Sequence, residues 1–173
     1  MGENVYLGHR YVVISRVKVW PDKTVESGVI LNDSLIWAKA CSRNLFGNYG
    51  VHGTINQEIT PEIAAKLGAA FGAHLKPGAQ IVTSSDSFRA SRVIKRAFVA
   101  GALSTGIGVY DLGTMITPMT RYALMALKAN GGVHIHASPD VETEVILEFF
   151  DHQGLNIDKN TERALENAFF SED

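Results

Sequence analysis

Ser138 is the residue whose position in this sequence most favours chemistry. It follows a predicted strand over residues 133–137 and lies two residues before Asp140. In open α/β sheets, ligands bind beyond the carboxyl ends of the strands. A serine there becomes a nucleophile only when neighbouring groups activate it. The alternative is a turn serine that caps backbone groups, and the residues alone leave both interpretations open.

Two histidines lie on the strand that leads to Ser138. His134 and His136 are two residues apart, so they share one face of that strand. Two imidazoles could bind a metal, but no third ligand is evident, and packing or hydrogen bonding is the more ordinary interpretation. The cations Arg89, Arg92, Lys95 and Arg96 follow an earlier turn, and helical spacing predicts a solvated face for them.

Strands and helices alternate after residue 44 and would position these side chains. Thr60 and Pro61 predict a helix start, and residues 76–78 predict its end. The pattern predicts an α/β fold, a three-layer α/β/α sandwich with a mainly parallel sheet. A short loop before the last strand would allow that strand to run antiparallel. The loops at residues 84–89, 113–117 and 138–143 are expected to meet at one edge of the sheet. The predicted strands cover residues 81–83, 107–112, 133–137 and 145–150, and the later helices begin near residues 85–87, 117 and 158.

The first forty residues repeat with a period of six. This period is typical of hexapeptide β-helices, in which each hexad is a short strand and a turn, and a β-meander is the alternative. We therefore expect a short left-handed β-helix-like segment over residues 1–42 and the α/β domain over residues 43–173. Because so short a solenoid piece would expose strand edges, we also expect a homo-oligomer through this N-terminal β segment, or poor order within it. The apolar positions are Leu7, Val13, Val19, Val25, Leu31 and Trp37.

The composition excludes several classes of function. The 173 residues carry 16 basic and 18 acidic side chains, for a net charge of −2, and no basic block that would indicate nucleic-acid binding. No apolar stretch is long enough to predict a membrane span. Cys41 is the single cysteine, so no internal disulfide can form, and a reduced cytoplasmic location is expected.

Several segments from residue 45 onward resemble motifs of the phosphoglucomutase/phosphomannomutase superfamily. The resemblance implies phosphoryl transfer on a hexose phosphate, of mannose or glucose, with Ser138 in the position of the serine that carries the phosphate. It also implies Mg²⁺ in the complete enzyme, bound through that phosphate and largely by a loop of a second domain that this chain lacks. The matching segments include FGNYGVHG at residues 46–53, ITPE at 59–62, AKLGAAFG at 65–72, SSDS at 84–87, YDLG at 110–113 and GGVHIHASP at 131–139.

The motifs depart from the family at positions that would bind phosphate. Tyr49 and His52 replace a serine and an arginine of the first motif, and Ser85 and Phe88 replace two arginines of the 84–88 loop. His52 and Arg89, which follows Phe88, are the remaining candidates for phosphate binding, and the alternative for His52 is a side chain that only fills the glycine-containing loop. After Ser138, the sequence Pro-Asp-Val replaces His-Asn-Pro. Serine and phenylalanine lack the planar bidentate geometry with which arginine binds phosphate.

The order of the segments resembles a narrower group, the bacterial fusions of a mannose-1-phosphate guanylyltransferase-like enzyme, a β-helix and a phosphomannomutase-like region. Two hypotheses follow. In the first, the chain is the first domain of a phosphohexomutase, an isomerase, and the fragment is inactive by itself and binds no cofactor. In the second, it is a non-catalytic module of a sugar-nucleotide pyrophosphorylase fusion that binds a sugar phosphate or organises oligomers.

Overall fold

The computed structural model describes residues 6–7, 12–13, 24–25, 30–31, 40–41, 45–141 and 143–171. The chain divides into two compact units, Met1–Leu45 and Phe46–Asp173. No helix among the described residues is both long and apolar enough to cross a bilayer. Two of the six predicted hexad positions, Val19 and Trp37, lie outside the described residues, as does Trp20.

The described residues of the first unit form five two-residue strands. They are β1 (Tyr6–Leu7), β2 (Val12–Val13), β3 (Thr24–Val25), β4 (Ile30–Leu31) and β5 (Ala40–Cys41). All of their pairings are parallel, in the orders β1-β3-β5 and β2-β4. Leu7 lies opposite Val25, and Val13 lies opposite Leu31, so these partners are three hexads apart in sequence.

The second unit is built on a six-stranded sheet with the order β6-β7-β11-β10-β8-β9. Only the β10–β8 and β8–β9 pairs are parallel, whereas β6–β7, β7–β11 and β11–β10 are antiparallel. The expectation of a mainly parallel sheet is therefore wrong, and the sheet is mixed. The reason is that short connections join β6 to β7 and β10 to β11, and only antiparallel neighbours can be joined so closely. The strands are β6 (Phe46–Gly47), β7 (Gly50–Thr54), β8 (Gln80–Ser85), β9 (Gly108–Thr114), β10 (Gly131–Ala137) and β11 (Glu144–Asp151).

Four helices cover the sheet: α1 (Pro61–His74), α2 (Arg89–Ser104), α3 (Thr117–Ala126) and α4 (Lys159–Phe170). Adjacent residues on a strand point to opposite faces. A Cβ added at Gly131 would meet Phe71 of α1, and one added at Gly132 would meet Leu124 of α3. The helices α1 and α3 therefore lie on opposite faces, while α2 and α4 both pack against α1.

Two of the four described helices begin with an N-cap side chain that accepts a backbone hydrogen bond. Thr60 accepts a hydrogen bond from Ile63 N, and Asp158 accepts one from Thr161 N, as N-cap residues do. The helix α2 begins at Arg89, shortly after its predicted start near residues 85–87. Phe88 is the N-cap residue of α2, and its side chain makes no capping hydrogen bond.

One charge of α2 is also placed differently from the prediction. Lys95 is buried, with only 6% of its surface exposed, and is not part of a solvated face. Its Nζ donates a hydrogen bond of 2.6 Å to Asp111 Oδ1 on β9. Burial alone would raise the pKa of Asp111, but the hydrogen bonds from Lys95 and Gly113 N and the charges of Lys95 and Arg96 outweigh it and hold this pKa below its usual range.

Four phenylalanines form the centre of the core between the sheet and α1 and α2. Phe71 of α1 and Phe98 of α2 both contact Phe149 of β11, with ring centroids 5.3 and 5.8 Å apart. Phe46 meets Phe149 from β6 at 5.4 Å. These tilted and edge-on contacts are the favoured geometry for aromatic pairs. They fix the edge hairpin and both helices to the same strand.

The helices α1 and α2 cross in backbone contact. A Cβ at Gly68 would overlap the carbonyl oxygen of Phe98, and a Cβ at Gly101 would overlap that of Ala65. Neither clash could be relieved by rotating a flexible side chain, because the obstructing atoms belong to the backbone. Glycine at these two positions therefore sets the distance between the helices.

We expect Gly101→Ala to lower the free energy of unfolding by about 2–3 kcal/mol, because overpacking forces the two helix backbones apart. Urea denaturation followed by circular dichroism measures the change. Ala100→Leu is the control, since Ala100 is exposed one position away on α2 and should tolerate the larger side chain. Equal stabilities of wild type and Gly101→Ala would contradict the close helix contact.

Candidate active site

The carboxyl ends of the parallel strands β8, β9 and β10 lie at one edge of the sheet, as predicted. Met115 N in the loop after β9 donates to Ser85 O at 2.9 Å, and Asp86 N donates to Ile135 O at 3.1 Å. Backbone hydrogen bonds therefore connect the end of β8 to the loop after β9, and the first residue after β8 to strand β10. The three loops singled out in the sequence form one continuous edge.

Asp86 is the side chain that connects two of these loops. Its Oδ2 accepts a hydrogen bond of 2.8 Å from Ala137 N, at the end of β10. Its Oδ1 accepts one of 3.0 Å from Phe88 N, at the start of α2. No role for Asp86 follows from the sequence pattern alone. The one signal present was an acidic residue in the 84–87 loop, directly after a predicted strand.

Ser138 is half-buried at the start of the loop between β10 and β11. Its backbone N donates to Glu144 O at 2.9 Å. Its Oγ lies 3.4 Å from both Asp140 N and Val141 N, which is long for a hydrogen bond to a hydroxyl oxygen. The hydroxyl thus lies against two backbone N–H groups of its own turn, the arrangement expected of a turn serine.

The hairpin β6–β7 brings His52 to this loop. Gly47 and Gly50 pair across a two-residue turn, Asn48 and Tyr49. Gly50 has a φ of +116°, and a Cβ there would overlap the carbonyl oxygen of Leu147 on β11. At Gly47 a Cβ would come within 2.6 Å of the His52 ring. Glycine is therefore needed at position 50 to seat the hairpin against β11, and the absence of a side chain at Gly47 leaves room for the His52 ring.

His52 and Ser138 line the same pocket, which has a volume of about 260 Å³. Asp140 and Glu144 line its wall, and no lysine or arginine is among the described residues that line it. The pocket is therefore acidic unless a cation enters it. Within the part of the chain that the structure describes, no three His, Cys, Asp or Glu side chains are grouped as metal ligands. The remaining lining residues are Asn48, Tyr49, Val141 and Ile146.

The structure does not bring Arg89 into this pocket. Arg89 is the first residue of α2, and its side chain is exposed. It is absent from the pocket lining. Of the three candidate residues from the sequence, the structure thus groups His52 with Ser138 and places Arg89 elsewhere on the same edge.

Of the two strand histidines, His134 belongs to a buried hydrogen-bonded chain, and His136 packs against its ring. His134 Nδ1 lies 2.7 Å from Ser84 Oγ, which lies 2.7 Å from Thr120 Oγ1. Thr120 donates to Ile116 O, so Ser84 donates to Thr120 and His134 Nδ1 donates to Ser84. His136 stacks on His134, with centroids 5.4 Å apart. These hydrogen bonds connect β10, β8 and the start of α3.

Comparison with known proteins decides the family. Residues 43–173 match the family described as phosphoglucomutase/phosphomannomutase, alpha/beta/alpha domain I. The chain belongs to this family. It is 38% identical over 133 residues to the phosphoglucomutase/phosphomannomutase of Thermococcus kodakarensis, covering 75% of this chain and 29% of that protein. It is 34% identical over 128 residues to the phosphoglucosamine/phosphogalactosamine mutase of Sulfurisphaera tokodaii, covering 74% and 28%.

A solved structure of a phosphoglucomutase/phosphomannomutase family protein from Burkholderia thailandensis has the same fold. It superposes with a TM-score of 0.64 at 20% identity, over 74% of this chain and 30% of that chain. The chain thus spans less than a third of the length of these relatives. Within the family domain, the Ser138 pocket joins two of the segments that carry the resemblance, residues 46–53 and 131–139.

We expect protonation of His134 to make the fold less stable in acid. Burial, and next the charge of His136, lower the pKa of His134 from 6.5 to about 4, although Asp86 opposes the shift. Between these values the unfolded chain binds a proton that the folded chain does not, so stability falls as the pH falls from 6.5 to 4. The loss from this residue amounts to at most about 3 kcal/mol.

Urea denaturation of wild type and His134→Gln across this pH range tests the linkage. The variant should lose less stability than wild type as the pH falls. His152→Gln removes an exposed histidine at the opposite edge of the sheet and should keep the wild-type slope. Parallel curves for wild type and His134→Gln would refute the assignment.

Proposed function

We propose that this chain is the first domain of a phosphohexomutase and that Ser138 carries the phosphate that the enzyme transfers. The observation that carries the proposal is the shared pocket of Ser138 and His52. Two segments that are 78 or more residues apart in sequence, and that both resemble family motifs, meet there. The mutase names of the relatives support a hexose phosphate as the substrate class.

The proposed step is a transfer between two oxygens. Ser138 Oγ attacks the phosphorus of a hexose bisphosphate, a new Oγ–P bond forms, and the bond from phosphorus to the hexose oxygen breaks. The proton that leaves Ser138 ends on the released hexose hydroxyl. The reverse step returns the phosphate to the other end of the hexose. Such transfers depend on positioning and charge stabilisation more than on covalent help from the protein.

The charges of the pocket favour a cation beside the phosphate. A phosphoserine next to Asp140 and Glu144 would be repelled by both carboxylates. Carboxylate and phosphate oxygens are the ligands that Mg²⁺ prefers, so the residues present fit the metal that this family uses. In this chain Ser138 would hold it through its phosphate, and Mg²⁺ would neutralise the charge there. His52, at the position of the family's arginine, would bind phosphate oxygens from the hairpin side.

The other parts of the reaction would come from outside this domain. The chain covers 28–29% of the length of the curated relatives described above. No segment of this sequence resembles the family's metal-binding loop. We therefore infer that the 173 residues do not catalyse the mutase reaction alone. Residues 43–173 would be the mutase domain, and residues 1–42 a separate β segment.

A second candidate function rests on the N-terminal unit. Parallel partners that are 18 residues apart, such as Leu7 and Val25, match one coil of three hexads. This spacing supports a left-handed β-helix-like segment, as in fusions with a mannose-1-phosphate guanylyltransferase-like enzyme. In that setting the domain would be a non-catalytic module that binds a sugar phosphate or organises oligomers. The absence of lysine and arginine from the lining of the Ser138 pocket favours this candidate.

The phosphorylation state of Ser138 decides between the two functions. We expect tandem mass spectrometry of the protein isolated from the cells that produce it to find phosphate on Ser138. We also expect Ser138→Ala to lower its phosphoglucomutase and phosphomannomutase kcat at least about 1,000-fold, because no other group can accept the phosphate. Ser171→Ala, which changes an exposed serine at the end of α4, should retain activity. An unmodified Ser138 and an active Ser138→Ala protein would exclude the mutase proposal.

The β segment can be tested by the state of association. We expect the chain to form a homo-oligomer through residues 1–42, and a version that begins at Asn44 to be monomeric, because uncovered strand edges recruit partners. Light scattering coupled to gel filtration measures both masses. A monomeric full chain would contradict oligomerisation through this segment.

A further inference from the structure

We propose that Asp86 is the positioning residue for Ser138: its carboxylate replaces the backbone partner that β10 loses at the end of β8. This inference rests on the proposed function, since Ser138 is the residue whose position matters. Asp86 does not line the Ser138 pocket. It acts on Ser138 through the backbone of Ala137, the preceding residue.

The sheet itself shows why such a residue is needed. The parallel ladder between β8 and β10 ends at the pair Ser85 and Ile135. One more backbone bond follows, from Asp86 N to Ile135 O. Beyond it, β8 turns away toward α2, and the next inward N–H of β10, that of Ala137, would have no carbonyl to meet. Asp86 Oδ2 accepts this N–H at 2.8 Å.

The other side of β10 is held by ordinary backbone bonds. The antiparallel ladder with β11 reaches the pair Ala137 and Val145, and Ser138 N then donates to Glu144 O at 2.9 Å. The chain entering Ser138 is therefore fixed from both sides, by β11 on one and by a single side chain on the other. Without Asp86, the end of β10 would be bonded on the β11 side only.

A carboxylate suits this position because both of its oxygens are used. Oδ2 accepts from Ala137 N while Oδ1 accepts from Phe88 N at 3.0 Å. The second bond orders the start of α2, where the N-cap side chain, Phe88, cannot accept one. An asparagine has one acceptor oxygen, so it could satisfy only one of the two N–H groups. Asp86→Asn is therefore a nearly isosteric change that breaks the link between the loops.

A control is available at the other end of these strands, where Asp151 lies opposite Gly131. Asp151 Oδ1 accepts hydrogen bonds from Gln153 N and Leu155 N, at 2.8 and 3.0 Å. Asp151→Asn removes a carboxylate charge in a loop that is remote from Ser138, and because one oxygen accepts both bonds, the asparagine Oδ1 can still accept them. Any effect of Asp86→Asn that Asp151→Asn does not share therefore does not come from the loss of a carboxylate charge alone.

The experiment compares wild type, Asp86→Asn and Asp151→Asn in the protein as its own cells produce it, with glucose 1,6-bisphosphate as the phosphate donor. We expect Asp86→Asn to reduce the rate constant for phosphorylation of Ser138 about 100-fold, as displacement of a reacting group by about 1 Å does. The KM for the bisphosphate should stay unchanged, because Asp86 does not touch it. Asp151→Asn should match wild type in both parameters.

Nuclear magnetic resonance on the 173-residue chain gives a readout that needs no activity. A scalar coupling across the hydrogen bond between Ala137 N and the Asp86 carboxyl carbon should be present in wild type. Amide exchange at Ala137 should be faster in Asp86→Asn and unchanged in Asp151→Asn. The wild-type coupling can be measured even if the variant does not fold, and its absence would overturn the proposal.

The outcomes separate this inference from the function on which it rests. Phosphate on wild-type Ser138, together with equal phosphorylation rates in the two aspartate variants, would overturn the role of Asp86 and leave the mutase proposal standing. A wild-type Ser138 that takes no phosphate would overturn both. A reduced rate with an unchanged KM, confined to Asp86→Asn, would establish Asp86 as the positioning residue.

Discussion

The close crossing of α1 and α2 is the constraint on which the rest of the domain depends. Because Gly68 and Gly101 let the two backbones touch, both Phe71 and Phe98 can reach the same ring, Phe149, on β11. That contact fixes both helices over the middle of the sheet. It also fixes where α2 begins, and hence where the chain leaving β8 must turn. The position of the loop before α2 therefore depends on a glycine, Gly101, that lies about 18 Å along the helix from Arg89.

The helix starts that depend on local chemistry could be predicted from the sequence, whereas the features that depend on long-range contacts could not. Thr60 and Asp158 act within three residues of their own positions, so the sequence alone locates the starts of α1 and α4. The burial of Lys95 depends on a carboxylate 16 residues away. The mixed sheet depends on a hairpin at residues 46–54 that packs against β11, which comes about ninety residues later. Neither relation leaves a periodic signal.

The candidate site was predictable to the extent that it resembles a family. Ser138 and His52 were selected by motif, and the fold places them in one pocket. Asp86 could not be selected in the same way, because its partner Ala137 is 51 residues distant and contributes only a backbone N–H. The acidic wall of the pocket also becomes visible only when Asp140 and Glu144 are brought together with the hairpin. Charge balance at the site is thus a property of the folded domain and of whatever cation it admits.

The ion pair between Lys95 and Asp111 has a consequence for how this protein behaves at high concentration. Within the described part of the chain, β9 has a neighbouring strand on one side only, so alternate residues of this strand present backbone groups that another molecule could pair with. Asp111 lies in the middle of this strand with half of its side chain exposed. A charged side chain in the middle of an edge strand disfavours edge-to-edge aggregation. Lys95 holds the pKa of Asp111 below its usual range and so keeps this carboxyl ionised to a lower pH.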